Sequence, residues 1–349
     1  MYMMTTWPRF KQLWIHRYHK FFHILDKYVS VGLHYGKLRW QKWRFSNRPL
    51  VAIALSEQMG DIVACEPISR EVRRLHPTAY IVWFVRRPYL DLIVHNPNLD
   101  GYIIEKCPGQ RTRLLDTGIF DHVYNLHLSN RRCRYCAEVP VNRVADARNI
   151  TYANYYNYGD LLYVFSQAAG LPALTADSQL YIPALTSARV RSLNLPPDYG
   201  VIHCRSSYAP RDWPARQWDE LVAWLLEMYS YSVVEVGLEP TVQQAEPRFI
   251  SLCGQLTILE TAEVIKNARL FIGIDSGPAH FANAAGTEGV ILLGQLFDYT
   301  DYLPYSGRYK RGDGVSILNW LGHPCSELPF GWVQDAVAQH LGPKTAHRS

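Results

Sequence analysis

Asp275, Ser276, Gly277 and His280 stand at the junction of an apolar run and a small-residue run in RLFIGIDSGPAHFANAAGTEGVILLG, residues 269–294. Leu270 to Ile274 reads as a buried strand that ends in a turn, and Pro278 suits the first turn of a helix that Gly286 would close. A helix that starts at the carboxyl end of a parallel strand presents free N–H groups with a positive dipole end, and Gly277 lets a ligand approach the backbone. Ser276 adds a hydroxyl donor and His280 a ring N–H, so the cluster suits a phosphate or diphosphate. The ordinary alternative is an N-cap with a structural histidine.

Three further groups of residues suit the same chemistry. In HCRSSYAPRDWPARQW (203–218), Ser206, Ser207 and Arg211 offer two hydroxyls and a guanidinium fork to phosphate oxygens, while Trp213, Pro214 and Trp218 set the start of a helix. Gly60-Asp61 follows a strand, where a carboxylate at the sheet's carboxyl edge would serve as a general base; capping of the next helix is the alternative. Glu239, after Gly237 and Leu238, is placed to accept hydrogen bonds from ribose hydroxyls. Cys133 and Cys136 form a single C-x-x-C with His127 nearby, but no second pair has metal-site spacing, so free thiols are expected and no metal. Seven scattered cysteines fit a reducing compartment.

The elements that must position these groups alternate between strand and helix, which favours parallel sheets. A first series runs through PLVAIALSEQMGDIVACEPISREVRRLHP (49–77), with Pro67 expected either in a helix's first turn or bending that helix, then strands at 79–85, 102–104 and 122–126 and a long helix from Tyr155 to Ala169. Residues 170–197, rich in Pro, Ala, Thr and Ser, read as a linker. A second series follows, with strands at 200–204, 232–237, 249–253 and 270–274, a helix around Gln217 to Met228, another in TILETAEVIKNA, and a last one near Trp332 to Leu341. The expected units are an N-terminal extension (1–48), a first Rossmann-like domain (49–185) and a second (186–349).

The chain of 349 residues carries a net charge of +5, unevenly spread. Its first 48 residues hold ten Lys or Arg against one acid, Asp26, so the head is strongly basic and the remainder mildly acidic. Within the head, Phe10, Leu13, Trp14, Phe21, Leu25 and Tyr28 recur at helical spacing, a pattern suited to an anionic membrane surface or to packing on the protein's own body. No nucleic-acid-reading motif accompanies the charge, and no nucleic-acid partner is expected. No apolar run reaches the roughly 18–20 residues that span a bilayer, and no secretory signal is legible, so a cytoplasmic location at the membrane's inner face is expected. There is no G-x-G-x-x-G after a strand, no Walker A sequence and no D-x-D, which removes the dinucleotide and P-loop fingerprints and a common metal-diphosphate anchor; no cofactor is expected.

Together, LSEQMGDIVACEPISREVRRLHP, SSYAPRDWPARQW and FIGIDSGPAHFANAAGTEGVILLG, in this order and spacing, resemble glycosyltransferase family 9, the ADP-heptose:lipopolysaccharide heptosyltransferases and their relatives. The resemblance implies two Rossmann-like domains facing a cleft (GT-B type) and an inverting, metal-independent transfer of heptose or a related sugar. The donor would be a nucleotide diphosphate sugar, ADP-linked, and the acceptor a lipopolysaccharide-core or other glycan, free or lipid-linked. On this resemblance Asp61 is the base; Ser206, Ser207 and Arg211 hold the diphosphate; Asp275, Ser276, Gly277 and His280 form the nucleotide and phosphate loop; and Glu239 contacts ribose. Arg211 stands where lysine is usual. A sugar-nucleotide epimerase of similar fold and a non-catalytic scaffold are the alternatives.

Overall fold

The computed structural model describes residues 6–45, 48–130, 132, 133 and 136–342; within the N-terminal helix, the side chains of residues 6–13 and 16, Phe10 and Leu13 among them, lie outside the described set. Two all-parallel sheets form the body. The first holds β1 (Leu50–Ala54), β2 (Tyr80–Val85), β3 (Gly101–Ile104) and β4 (His122–Asn125) in the order β3-β2-β1-β4. The second holds β5 (Tyr199–His203), β6 (Ser232–Glu235), β7 (Phe249–Ser251), β8 (Leu270–Ile274), β9 (Gly289–Leu293) and β10 (Val315–Asn319) in the order β10-β9-β8-β5-β6-β7. In each sheet the chain changes direction beside the first strand, between β1 and β4 and between β5 and β8. Such switch points leave a crevice at the strands' carboxyl ends, where ligands of open α/β sheets bind.

The strands that bear the site are apolar along their whole length, because helices cover both faces of a parallel sheet. All five residues of β1, of β8 and of β9 are buried. Above the second sheet, the helix Gly277–Ala285 sinks Ala279, Phe281 and Ala282 into a core shared with Phe271, Ile291 and Leu293. Pro278 lies in its first turn and Gly286, at φ 76°, ends it.

Three expectations are corrected. After β1 the chain forms two helices, Met59–Ala64 and Glu66–Leu75, with Cys65 between them and Pro67 in the second helix's first turn. The helix expected from Tyr155 is a 3-10 turn (Tyr155–Tyr158) followed by a helix from Leu161 to Ala168; Gly159, at φ 139°, breaks the run and Asp160 recaps it by accepting from the Tyr163 N–H. The segment read as a linker is strapped to the body: Tyr181 Oη and the Gln179 N–H both donate to Glu66, Ser178 Oγ donates to the Ala64 carbonyl, and residues 184–192 form a helix. Its Pro-rich composition keeps it extended, but buried acceptors on the first helical pair hold it in place.

The N-terminal helix spans Thr6–Arg44. One side of it lies on the first sheet's outer layer, where Leu38 is buried, Val31 and Tyr35 pack beside it, and Ser30 Oγ accepts from Gln110 Nε2 at 2.8 Å. No helix among the described residues is long and apolar enough to cross a membrane.

Phe281 has no exposed surface and fills the space between β8, β9 and its own helix. Phe281→Ala should lower unfolding free energy by about 3–5 kcal/mol, read from urea unfolding, because the rigid strands around it cannot collapse into the void.

Candidate active site

The carboxyl ends of β5 and β8 bring most of the expected residues together. Asp275, the first residue past β8, is almost fully buried, and its oxygens are occupied by protein donors. Tyr305 Oη donates to Oδ1 at 2.9 Å, Tyr302 Oη donates to Oδ2 at 2.8 Å, and Arg211 Nη1 reaches Oδ2 at 3.2 Å. A carboxylate held this way is a foundation for the site and does not itself face a phosphate. Its fixed charge orients the guanidinium through a charge-assisted hydrogen bond.

Arg211 is mostly buried and sits in the 3-10 turn Ala209–Arg211 after β5. That turn runs against Gly294 at the end of β9, where a Cβ would come 2.7 Å from the Pro210 carbonyl oxygen, so only glycine permits the approach. Below it Trp213 donates its indole N–H to the Leu328 carbonyl at 3.1 Å and meets Trp218 edge-on at 5.2 Å, as the sequence led one to expect for the helix start. Arg211 Nε is buried and has no hydrogen-bond partner. A buried guanidinium N–H without an acceptor costs free energy, and an incoming anion removes that cost.

Ser206 is committed to its own loop. Its hydroxyl lies 2.7 Å from Asp212 Oδ1 and 2.9 Å from the Tyr208 carbonyl, and it accepts from the Tyr208 N–H at 3.0 Å. Ser207 is exposed beside it. Ser276 is the N-cap of the Gly277–Ala285 helix but makes no side-chain cap bond; its hydroxyl lies 3.0 Å from His203 Nδ1 and 3.1 Å from the Ile274 carbonyl. The helix therefore begins without a side-chain hydrogen bond to its first amides, the arrangement that suits an anion.

His280 and His203 are both buried, and burial holds each imidazole at a pKa of about 4, which for His280 outweighs the opposing attraction of Asp275. Both rings are neutral near pH 7. His280 lies 4.7 Å, centroid to centroid, from the Tyr305 ring, and offers a neutral N–H rather than a cation.

Across the crevice, Asp61 lies in the first turn of the Met59–Ala64 helix, where Oδ2 accepts from the Gln58 N–H at 3.2 Å. It is partly exposed. Two glycines allow the two halves to meet here: a Cβ on Gly60 would lie 2.7 Å from His280 Cδ2, and one on Gly277 would collide with the Met59 side chain. The carboxylate is thus one residue from the contact with the second sheet's helix. Glu239 stands apart from this group, exposed on the loop after β6, 3.3 Å from Arg205 Nη1.

Sequence reasoning missed the tyrosines. Tyr155 and Tyr156 of the first half meet Tyr299 edge-on at 5.4 and 5.2 Å, and Tyr156 reaches Tyr302 at 4.9 Å, so a ring cluster bridges the halves beneath Asp275 and Arg211. The signal available was the density of tyrosines at 299, 302, 305 and 309, but most of that stretch is irregular, ahead of the helix Gly307–Arg311, so no periodicity gives their direction. His203 was legible only as a strand residue.

The two histidines generate a pH dependence. Their folded pKa lies below the 6.5 of a free imidazole, so the unfolded chain takes up protons first as pH falls. Their contribution to stability is complete above about pH 6.5 and is lost as pH drops toward about 4. Urea unfolding across that range should show stability declining, and His280→Asn should flatten the slope by about one proton's worth; an unchanged slope would mean that His280 titrates normally.

Comparison with known proteins agrees with this geometry. Residues 159–308 match the family model of glycosyltransferase family 9 (heptosyltransferase). A 60-residue stretch is 40% identical to lipopolysaccharide heptosyltransferase 3 of Escherichia coli, covering 17% of each protein. The fold is shared with the glycosyl transferase family 9 structure from Veillonella parvula (TM-score 0.63, 16% identity, 84% of this chain and 97% of that one). It is shared as well with E. coli ADP-heptose lipopolysaccharide heptosyltransferase II (TM-score 0.60, 16% identity, 84% and 98%). With the signature segment inside the matched region and the fold common to most of the chain, residues 159–308 carry a glycosyltransferase family 9 (heptosyltransferase) domain and the chain is heptosyltransferase-like.

Proposed function

We propose that the chain transfers a heptose or related sugar from an ADP-linked donor to a hydroxyl of a lipopolysaccharide-core or other bacterial glycan, with inversion and without a catalytic metal. The observation that carries this reading is the buried Arg211 Nε, a cationic donor lacking an acceptor, together with the start of the Gly277–Ala285 helix, which has no side-chain cap hydrogen bond. Negative charge grows on the leaving diphosphate as the glycosidic bond breaks, and preorganised donors at that position stabilise it without reorganisation. Arg211, the amide end of the helix, neutral His280 and exposed Ser207 are the diphosphate contacts in this reading, with Asp275 and Ser206 holding the loops that present them. Asp61, on the facing wall, takes the proton of the acceptor hydroxyl as that oxygen attacks the anomeric carbon. ADP as the nucleotide rests on the relative whose name contains ADP-heptose.

The same proposal places the N-terminal helix on an anionic lipid surface. Trp14, Tyr18, Phe21, Leu25, Val29, Trp40 and Trp43 are all exposed and, at 100° per residue, fall on one stripe, opposite the side that carries Lys27, Ser30 and Leu38 into the body. Exposed Arg17 and Arg39 lie at the edge of the stripe. Rings at headgroup depth with cations around them are the composition of an interfacial helix.

Two measurements test these readings. Arg211→Ala should weaken ADP binding by about 10–100-fold, while Asp61→Ala should keep ADP affinity and lower kcat with ADP-heptose and a core oligosaccharide by about 10²–10⁴-fold. Normal turnover by the Asp61 variant would remove the proposed base. In the full chain, Trp14→Glu with Phe21→Glu should cut sedimentation with anionic liposomes at least about tenfold, and equal binding would sink the membrane proposal.

A further inference from the structure

Outside the crevice, four side chains from three distant parts of the chain converge at the seam between the N-terminal helix and the first sheet's helical layer. His23 comes from that helix, Cys107 from the N-cap position of the helix Pro108–Leu115, and Cys133 and Cys136 from the loop after β4. One ligand atom from each, a ring nitrogen and three Sγ, all lie within 4.8 Å of one another. None of the three cysteines is in a disulfide, and Cys107 Sγ and Cys136 Sγ are 3.9 Å apart, too far for one. Sulfurs bound to one zinc at about 2.3 Å in a tetrahedron lie about 3.8 Å apart, so this pair already has the spacing of two ligands on a common ion.

The backbone around the cluster holds this geometry. The Ala137 N–H donates to the Cys133 carbonyl at 3.0 Å and the Cys133 N–H to the Glu138 carbonyl at 2.9 Å, closing a loop in which Ala137 adopts φ 58°, a conformation alanine seldom takes. Gly109 makes room opposite, since a Cβ there would lie 2.7 Å from Cys136 Sγ. Two cations also converge beside the thiols: Lys27, one turn after His23 and buried, and Arg113 both bind Glu138. Three thiolates and a neutral imidazole around a divalent ion carry a net charge of −1, which nearby cations offset.

We propose that His23, Cys107, Cys133 and Cys136 form a tetrahedral structural site for a thiophilic divalent metal, zinc in the first instance, which clips the N-terminal helix to the first domain. Three sulfurs and one nitrogen fill a tetrahedron, and with Cys107 and Cys133 buried no position is left for substrate, so the ion has no part in sugar transfer. Binding displaces the three thiol protons to solvent. The sequence reading of Cys133 and Cys136 as a lone C-x-x-C fails because the other two ligands lie far upstream and only the packing of helix on domain brings them in. The nearby His127 is used elsewhere, 3.1 Å from Ser56 Oγ.

The test uses the full chain purified under reducing conditions. Elemental analysis should find about one zinc per chain, and a chelator-stripped sample given cobalt(II) should develop thiolate-to-cobalt charge-transfer bands and the intense d–d bands of tetrahedral cobalt. Cys133→Ser with Cys136→Ser should reduce metal content at least about tenfold, and His23→Asn should weaken zinc retention against a competing chelator by about 10–100-fold and shift the d–d bands. About one iron(II) in place of zinc, lost in the same variants, supports the site and changes the ion. A folded wild-type chain that takes up neither zinc nor cobalt, metal that survives the double substitution, or a Cys107–Cys136 disulfide would overturn the proposal. Should the double variant misfold, the cobalt spectrum of the unaltered chain decides alone.

Discussion

The structure of the crevice depends on one buried carboxylate. Asp275 carries a charge that water cannot reach, and it is tolerated because Arg211, Tyr302 and Tyr305 together satisfy it. These come from two segments: Arg211 from the turn after β5, and Tyr302 and Tyr305 from the chain between β9 and β10. The carboxylate therefore draws both onto the end of β8 and decides where the guanidinium lies. Removing it would leave a buried cation without its counter-charge, a larger loss than that of the hydrogen bonds alone.

Around this centre the two halves are in direct contact. Gly60 makes room for the His280 ring and Gly277 for the Met59 side chain where the Met59–Ala64 and Gly277–Ala285 helices meet, and the tyrosine cluster fills the space beneath. Lys310 Nζ at 2.6 Å from Asp160 Oδ2 adds a tie between the second half and a helix start in the first. These contacts keep the partly exposed Asp61 opposite the donors of the second sheet. Burial keeps His280 and His203 uncharged, so the positive character of that wall comes from Arg211 and from aligned backbone amides. That combination suits an anion that must be released after reaction as well as bound.

The N-terminal helix shows how one element serves two surfaces. Its inner side is fixed to the body by Leu38, by Ser30 with Gln110, and by Lys42, 2.7 Å from Asp121. Its outer side leaves a line of aromatic and aliphatic side chains facing solvent. Both alternatives raised by the sequence, packing on the body and a lipid-facing surface, have a side of the helix suited to them, because a helix long enough to pass over the whole domain presents every direction in turn.

The sequence by itself determined the succession of strands and helices, the parallel class of both sheets and the strand–turn–helix junction at Asp275. All of these rest on local signals: apolar runs of strand length, Pro and Gly at helix ends, and a small polar cluster between them. It grouped Arg211, Asp275, Ser276 and His280 as candidates for one site but did not reveal the bonds from Arg211, Tyr302 and Tyr305 to Asp275, since an acid at a strand end looks the same in sequence whatever donors it meets. The break at Gly159, the strapped segment after residue 170, the tyrosine bridge and the Cys107–Cys133–Cys136–His23 convergence came only with tertiary structure. Each is made by side chains far apart in the chain, and only packing into a shared low-dielectric interior, where every polar group must find a partner, selects which of them meet.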